Sequence, residues 1–166
     1  DATEADTTLI LIDLGRGRNR MAGSILAQAL GQSGCPERDG VPDLDDPQDL
    51  VRLVAAINAL RTQGRILAYH DRSDGGLLAT VAEMAFAGHV GVSLNVDMLV
   101  TEGDGISDSR MDAGDAKNWA TQVSARREEL TLKALFNEEL GGVIGQWLSL
   151  LGDIPALPLQ PLQQNL

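Results

Sequence analysis

Residues 65–88 read RILAYHDRSDGGLLATVAEMAFAG, and this stretch carries most of what the sequence says about fold and site. Arg65 to Tyr69 is short and apolar, which predicts a strand. Leu77, Leu78, Val81, Met84 and Ala85 recur at helical spacing, which predicts an amphipathic helix stopped by Gly88. Between them His70-Asp71-Arg72-Ser73-Asp74-Gly75-Gly76 must turn the chain. Two carboxylates, a hydroxyl and two glycines therefore meet at a helix N-terminus. Glycine lets a ligand approach the backbone, and the first N–H groups of a helix favour phosphate. A nearby carboxylate can hold Mg²⁺, a hard cation that prefers oxygen and bridges to phosphate oxygens. The plainer reading is that Ser73 or Asp74 caps the helix while the glycines turn the chain. Pattern alone leaves both open.

Upstream, Thr7 to Asp13 (TTLILID) predicts a buried strand ending near Gly15. Gly15-Arg16-Gly17-Arg18-Asn19-Arg20 is a basic, glycine-containing loop. Met21, Ile25, Leu26 and Ala29 predict a helix stopped by Gly31, and Gln32 to Asp45 reads as loop. In the next helix Asp46 caps, Pro47 suits the first turn and Asp49 meets the helix dipole. Leu50, Leu53, Val54, Ile57 and Leu60 line one face, and Gly64 ends it. Downstream, Val90, Val92, Leu94 and Val96 alternate as in a half-buried strand. Thr101 to Asp115, with four Asp and three Gly, predicts an exposed insertion. Ala116 to Leu135 reads as helix, with a break near Ser124 as an alternative, and Gly141 to Gln146 as strand. Pro155, Pro158 and Pro161 exclude a regular helix interior or central strand from the tail. No internal repeat is present.

The chain has 166 residues, 43% hydrophobic and 22% charged, which bounds it to one globular domain burying roughly 70% of its unfolded surface. The net charge of −11 argues against a nucleic-acid partner and against an anionic membrane surface. It leaves room for a small phosphate-bearing ligand, which backbone amides or a metal can receive. Cys35 is the single cysteine, so no internal disulfide and no cysteine-based zinc site forms, and a reduced, cytoplasmic protein is expected. No apolar run approaches 18 residues, so no transmembrane helix is expected. The acidic start is neither a signal nor a transit peptide. Because it begins on Asp1 and not Met, a longer parent chain is expected.

Other constellations are weaker. Asp71, Ser73 and Gly76 fit calcium-loop positions one, three and six, but position twelve is Ala82 with Glu83 one place late. Gly15-x-Gly17 lacks the third glycine of the dinucleotide fingerprint, Arg20 standing there. Arg16, Arg18 and Arg20 can grip a phosphate or an acidic surface, or simply form a solvated basic loop. His70 and His89, the two histidines, are too few for a zinc site, and no nucleophile elbow supports a triad. Asn137-Glu138-Glu139 offers acids that are either ligands or a solvated helix end.

Three blocks, LIDLGRGRNRMAGSILAQ, AYHDRSDGGLLATVAEMAFAGHVGV and ALFNEELGGVI, resemble the phosphoribosylformylglycinamidine synthase family of purine biosynthesis in its large, fused form. They match its second AIR-synthetase-like C-terminal subdomain from Thr7 to about Ile144, in the family's order. The resemblance implies an α+β fold in α/β/α layers, a mixed sheet with helices on its faces, truncated at its C-terminal end. It implies a domain over 1–146 with an exposed insertion at about 99–127, and a divergent proline-bearing tail over 147–166.

The implied reaction is the ATP-dependent, C–N bond-forming conversion of formylglycinamide ribonucleotide to its amidine. ATP phosphorylates the amide oxygen, and ammonia from a glutamine amidotransferase (glutaminase) domain displaces phosphate. The implied cofactors are ATP or ADP and magnesium. Residue by residue, Asp71 matches a magnesium ligand and Ser73 a nucleotide contact of an auxiliary nucleotide site. Gly75 and Gly76 complete the expected cofactor-binding turn; catalytic residues are not assigned. The implied partners are the AIR-synthetase-like N-terminal halves and the glutaminase domain. Neither is in this sequence, so the chain alone is expected to be inactive. The competing expectation is a non-catalytic nucleotide-binding or assembly module, or an inactive remnant. A selenophosphate synthetase or thiamin-phosphate kinase half fits the HDRSDGGL and AEMAFAGH blocks less well.

Overall fold

A computed structural model describes residues 7–32, 40–96, 99–100, 116–147 and 159–164. Cys35 and the acidic stretch 101–115 lie outside the described residues. The elements in chain order are β1 (Thr7–Asp13), α1 (Ile25–Ala29), α2 (Pro47–Thr62), β2 (Ile66–Asp71), α3 (Gly76–Gly88), β3 (Leu94–Asn95), α4 (Ala116–Phe136), β4 (Gly141–Trp147) and β5 (Leu159–Gln164).

The apolar run in β1 follows from its place in the sheet order β2-β4-β1-β5-β3. Successive side chains point to opposite faces of a strand, and both faces here are covered. On one, Ile10, Ile12 and Ile144 pack with Leu14 and with Leu53 of α2, joined by Leu44, Ile57 and Ile66. On the other, Leu11 and Val143 pack against Leu77 and Val81 of α3, joined by Leu9, Met84, Leu94 and Leu99. This sandwich of helix, sheet and helix is the expected α/β/α layering of an α+β fold. Burying one such aliphatic side chain contributes roughly 1.5–3 kcal/mol, so the two clusters hold the layers together.

Local signals set several boundaries. Asp46 caps α2 by accepting from the Gln48 amide, with Pro47 in the first turn. Gly64, at φ +67, reverses the chain after it, and the Arg65 amide returns to the Leu60 carbonyl. Leu50, Val54 and Leu78 are exposed, so the buried stripes of α2 and α3 are narrower than their apolar spacing predicts.

Four expectations change. The four described pairings are all antiparallel, where the resemblance implied a mixed sheet. The strand expected over Val90 to Val96 shrinks to Leu94–Asn95, because β5 offers it only Gln163 and Gln164, and Val90 and Val92 stay exposed. The prolines do not exclude an inner strand: β5 carries Pro161 opposite Ile10. Pro161 lies beyond the two residues that β3 covers, so a nitrogen on that side removes no ladder bond. Finally, α1 is one short turn capped by Ser24, and Met21 precedes it in a turn.

The register places the site. Asp71 pairs with Gly142, and Gly141 pairs with Asp13. The C-terminal ends of β1 and β2 therefore flank the N-terminal end of β4, at one end of the sheet. The glycines are needed there. A Cβ on Gly141 would lie 2.0 Å from the Ile12 carbonyl oxygen, and one on Gly142 would lie 2.6 Å from that of His70.

Candidate functional site

At this end of the sheet the chain leaves β2 and turns into α3. Asp71, Arg72 and Ser73 alternate outward, inward and outward. The Asp71 side chain is 70% exposed, and Ser73 is exposed on the turn before α3. The Arg72 side chain is 1% exposed. Its Nη2 donates to Asp13 Oδ1 at 2.5 Å and to the Leu140 carbonyl at 3.5 Å, and its Nε donates to the Glu139 carbonyl at 2.6 Å. Its backbone N–H reaches the Gly141 carbonyl at 3.0 Å. A charge taken out of water needs this degree of pairing to be tolerable.

Asp13, the last residue of β1, is shared. Oδ1 also accepts the Gly15 amide at 3.1 Å, and Oδ2 accepts the Gly17 amide at 2.7 Å. Its carboxylate thus closes the arginine loop on itself. That loop holds Arg16 and Asn19 at φ +54 and +50, left-handed values that cost non-glycine residues about 1–3 kcal/mol each.

The Asn137-Glu138-Glu139 segment completes the cluster, and neither expectation for it describes Glu139. Glu139 is 0% exposed. Its carboxylate accepts the Arg20 amide at 3.0 Å, Arg20 Nε at 2.6 Å and Arg20 Nη2 at 2.7 Å. Gly15 must be glycine because its Cβ would lie 2.5 Å from Glu139 Cδ. The Glu139 hydrogen bond is the largest cause holding the Arg20 pKa above its ordinary value. Asn137 is buried too, donating to Asn19 Oδ1 and to the Lys133 and Ala134 carbonyls. Glu138 spans two segments. One oxygen accepts the Ile25 amide at 2.8 Å and the Gly75 amide at 3.0 Å.

These contacts revise the roles of the loop and the glycines. Arg16 donates to Asp49 and Arg18 to Asp45, each at 2.6 Å. Together with the Arg20–Glu139 pair, this means that all three arginines of the loop are paired with carboxylates of the chain. The Arg16 hydrogen bond pulls the Asp49 pKa below its ordinary value. Gly75 gives its amide to Glu138 and Gly76 gives its own to the Ser73 carbonyl at 2.9 Å, so both expected phosphate donors serve the chain itself. Gly76 has a structural reason to be glycine. At φ +67 its Cβ would lie 2.6 Å from the Asn137 carbonyl and 2.7 Å from that of Leu135.

His70 has a polar neighbour at each ring nitrogen. Nδ1 lies 2.7 Å from the Asp71 carbonyl oxygen, and Nε2 lies 2.8 Å from Glu83 Oε2. Tyr69 precedes it, its pKa raised by burial first and by the Asp71 charge second.

Asp71 presents an exposed carboxylate, the donor type that a hard cation takes. Mg²⁺ commonly takes one or two carboxylates, with water and phosphate oxygens for the rest. Among the described residues no group of three or more His, Cys, Asp or Glu side chains is placed to hold a metal by itself. No helix there is long and apolar enough to cross a membrane.

Sequence reasoning gave Asp13 and Arg72 no role, and it singled out Asn137 and Glu139 without foreseeing that both are buried. Each of the four lies inside one of the three quoted blocks. A comparison with known families matches residues 6–144 to AIR synthase related protein, C-terminal domain. The match covers β1 to the middle of β4, and hence every residue of the buried cluster. Domains of this kind occur in ATP-using enzymes of purine biosynthesis. By that match, over most of its length, the chain belongs to the AIR synthase related C-terminal domain family.

Proposed function

We propose that the chain is part of an ATP-dependent purine-biosynthesis ligase that converts formylglycinamide ribonucleotide to formylglycinamidine ribonucleotide, and that it contributes a magnesium–nucleotide half-site. The observation that carries the reading is the pair of exposed polar side chains, Asp71 and Ser73, at the turn into α3, flanking a buried arginine. Asp71 would hold the cation through a carboxylate oxygen. Ser73 would hydrogen-bond a phosphate or ribose oxygen, and Gly75 and Gly76 would shape the turn against the nucleotide. A bound magnesium ion would neutralise phosphate charge. This half-site would sit beside elements supplied by the AIR-synthetase-like N-terminal halves, with ammonia coming from a glutaminase domain. On this reading the site is auxiliary, so its nucleotide stabilises the assembly and is not turned over.

The experiment is Asp71→Asn in the complete enzyme. The variant should retain less nucleotide and melt lower, because a ligand that binds only the folded state stabilises it by mass action. Ser73→Ala should act the same way but less, since it removes one neutral hydrogen bond worth about 0.5–1.5 kcal/mol. Full nucleotide occupancy with an unchanged melting temperature would reduce Asp71 to a turn residue. Retained nucleotide with lost turnover would make the site catalytic and not auxiliary.

A further inference from the structure

The turn and the arginine loop are 50 residues apart in sequence but share their anchors. Asp13 accepts from Gly15 and Gly17 in the loop and from Arg72 in the turn. Glu139 accepts from Arg20 in the loop through its carboxylate and from Arg72 through its carbonyl. Glu138 joins the Gly75 amide to that of Ile25, just after the loop. Two arginines and two carboxylates, Arg20, Arg72, Asp13 and Glu139, thus make one buried or half-buried network of balanced charge. Left-handed non-glycine residues persist only where surrounding contacts over-determine them. For Arg16 and Asn19 the adjacent contacts come from Asp13 and from Asn137 and Glu139.

We infer that Asp13, Arg72 and Glu139 are positioning residues for the Asp71–Ser73 turn, and that their ion network makes this turn and the loop at 15–20 open as one cooperative unit. Arg72 is the only residue between Asp71 and Ser73, so fixing its guanidinium at three points fixes where the flanking side chains project. The positioning claim rests on the nucleotide reading above; the cooperative opening does not.

Native-state hydrogen exchange on the unmodified chain tests the coupling. Amides of Gly15, Gly17, Arg20 and, in the turn, Gly76 should share one opening free energy and one denaturant dependence, distinct from the β1 and β4 ladder. A loop that opens while Gly76 stays protected overturns the inference. In Asp13→Asn, exchange at both segments should rise together by roughly tenfold or more while the Ile10 and Ile144 amides keep their protection. A rise confined to Gly15 and Gly17 overturns it. If that variant does not fold, Asp13→Asn with Arg72→Met removes the unpaired buried charge, and the same two outcomes apply. Neither result involves nucleotide.

For positioning, Mg²⁺–ADP is titrated into the complete enzyme well below its melting temperature. The double variant should bind roughly tenfold or more weakly although fully folded, which a merely structural role would not produce. If Asp71→Asn loses nucleotide but the double variant binds normally, the positioning inference fails and the nucleotide reading stands. If Asp71→Asn binds normally, the nucleotide reading fails and takes positioning with it, while the exchange data decide the coupling.

Discussion

Replacing Gly76 by alanine separates two reasons for a glycine at the start of α3. A glycine kept for a ligand's approach would change affinity on substitution and leave the fold intact. A glycine kept because the chain crosses itself would change stability. The geometry favours the second. Gly76 has φ +67, and an added Cβ would meet three backbone atoms, the Asn137 and Leu135 carbonyl oxygens and Phe136 C, at 2.6, 2.7 and 2.8 Å. The left-handed backbone alone costs an L-residue about 1–2 kcal/mol. Forcing a methyl group into a filled site adds about 1–3 kcal/mol, and rigid backbone gives less than a side chain does. The expected loss is therefore about 2–5 kcal/mol, a large share of the roughly 5–15 kcal/mol that holds a domain of this kind together. Gly17→Ala is the control. Its φ is +74 but nothing lies within 4 Å of the added Cβ, so it incurs the backbone cost alone. Urea denaturation of both variants, read as the midpoint at constant slope, gives the difference. Gly76→Ala losing no more than Gly17→Ala would refute the crossing argument and return Gly76 to the ligand.

Three further outcomes follow from the electrostatics. Tyr69 is the single tyrosine, so phenolate absorbance reports it alone; Asp71→Asn should shift its titration to lower pH, still above the ordinary value because burial is the larger cause, and an unmoved titration would contradict the Asp71 coupling. The Asp49 pKa is lowered in the folded state, so the Arg16–Asp49 pair should support stability above the ordinary carboxylate range and lose that support as pH falls through the lowered value; Asp49→Asn should flatten the acid limb of a stability–pH profile, and an unchanged limb would show the pair inert. Glu138→Ala should loosen the Ile25 and Gly75 amides and lower the melting temperature; if it instead raised affinity for inorganic phosphate without loss of stability, Glu138 would be a stand-in for an anion at the head of α3.

What the sequence made legible was local. TTLILID, Asp46-Pro47 and the break from RILAY to LLATVAEMAF each carry their signal within a few residues, and the elements form where those signals point. What it hid depends on distant partners. Nothing in His70-Asp71-Arg72-Ser73 says that the arginine turns inward, because its carboxylate is at 13 and its carbonyls are at 139 and 140. Glu138 and Glu139 are adjacent and chemically alike. One bridges two amides while the other is buried on an arginine 119 residues away. The prolines misled for a related reason. Pro161 bars a strand only where the neighbour on the side its nitrogen faces needs an N–H, and how far β3 extends is not a local property.

The charge arrangement at this end of the sheet bears on the nucleotide proposed for it. Arg16, Arg18, Arg20 and Arg72 are each matched to a carboxylate of the same chain. The Gly75 amide, the most direct anion seat at the head of α3, holds Glu138. The groups that would attract a bare phosphate are thus spent on holding the loop, the turn and β4 together. What projects from the turn is Asp71, a carboxylate with a 70% exposed side chain on a chain whose net charge is −11. Such a surface repels an unaccompanied anion and attracts a cation. A nucleotide reading of this turn therefore requires the phosphates to arrive with their metal, the ion reversing the local sign of the field. Binding at Asp71 and Ser73 should accordingly depend on divalent cation far more steeply than binding at an arginine-lined or glycine-amide site would.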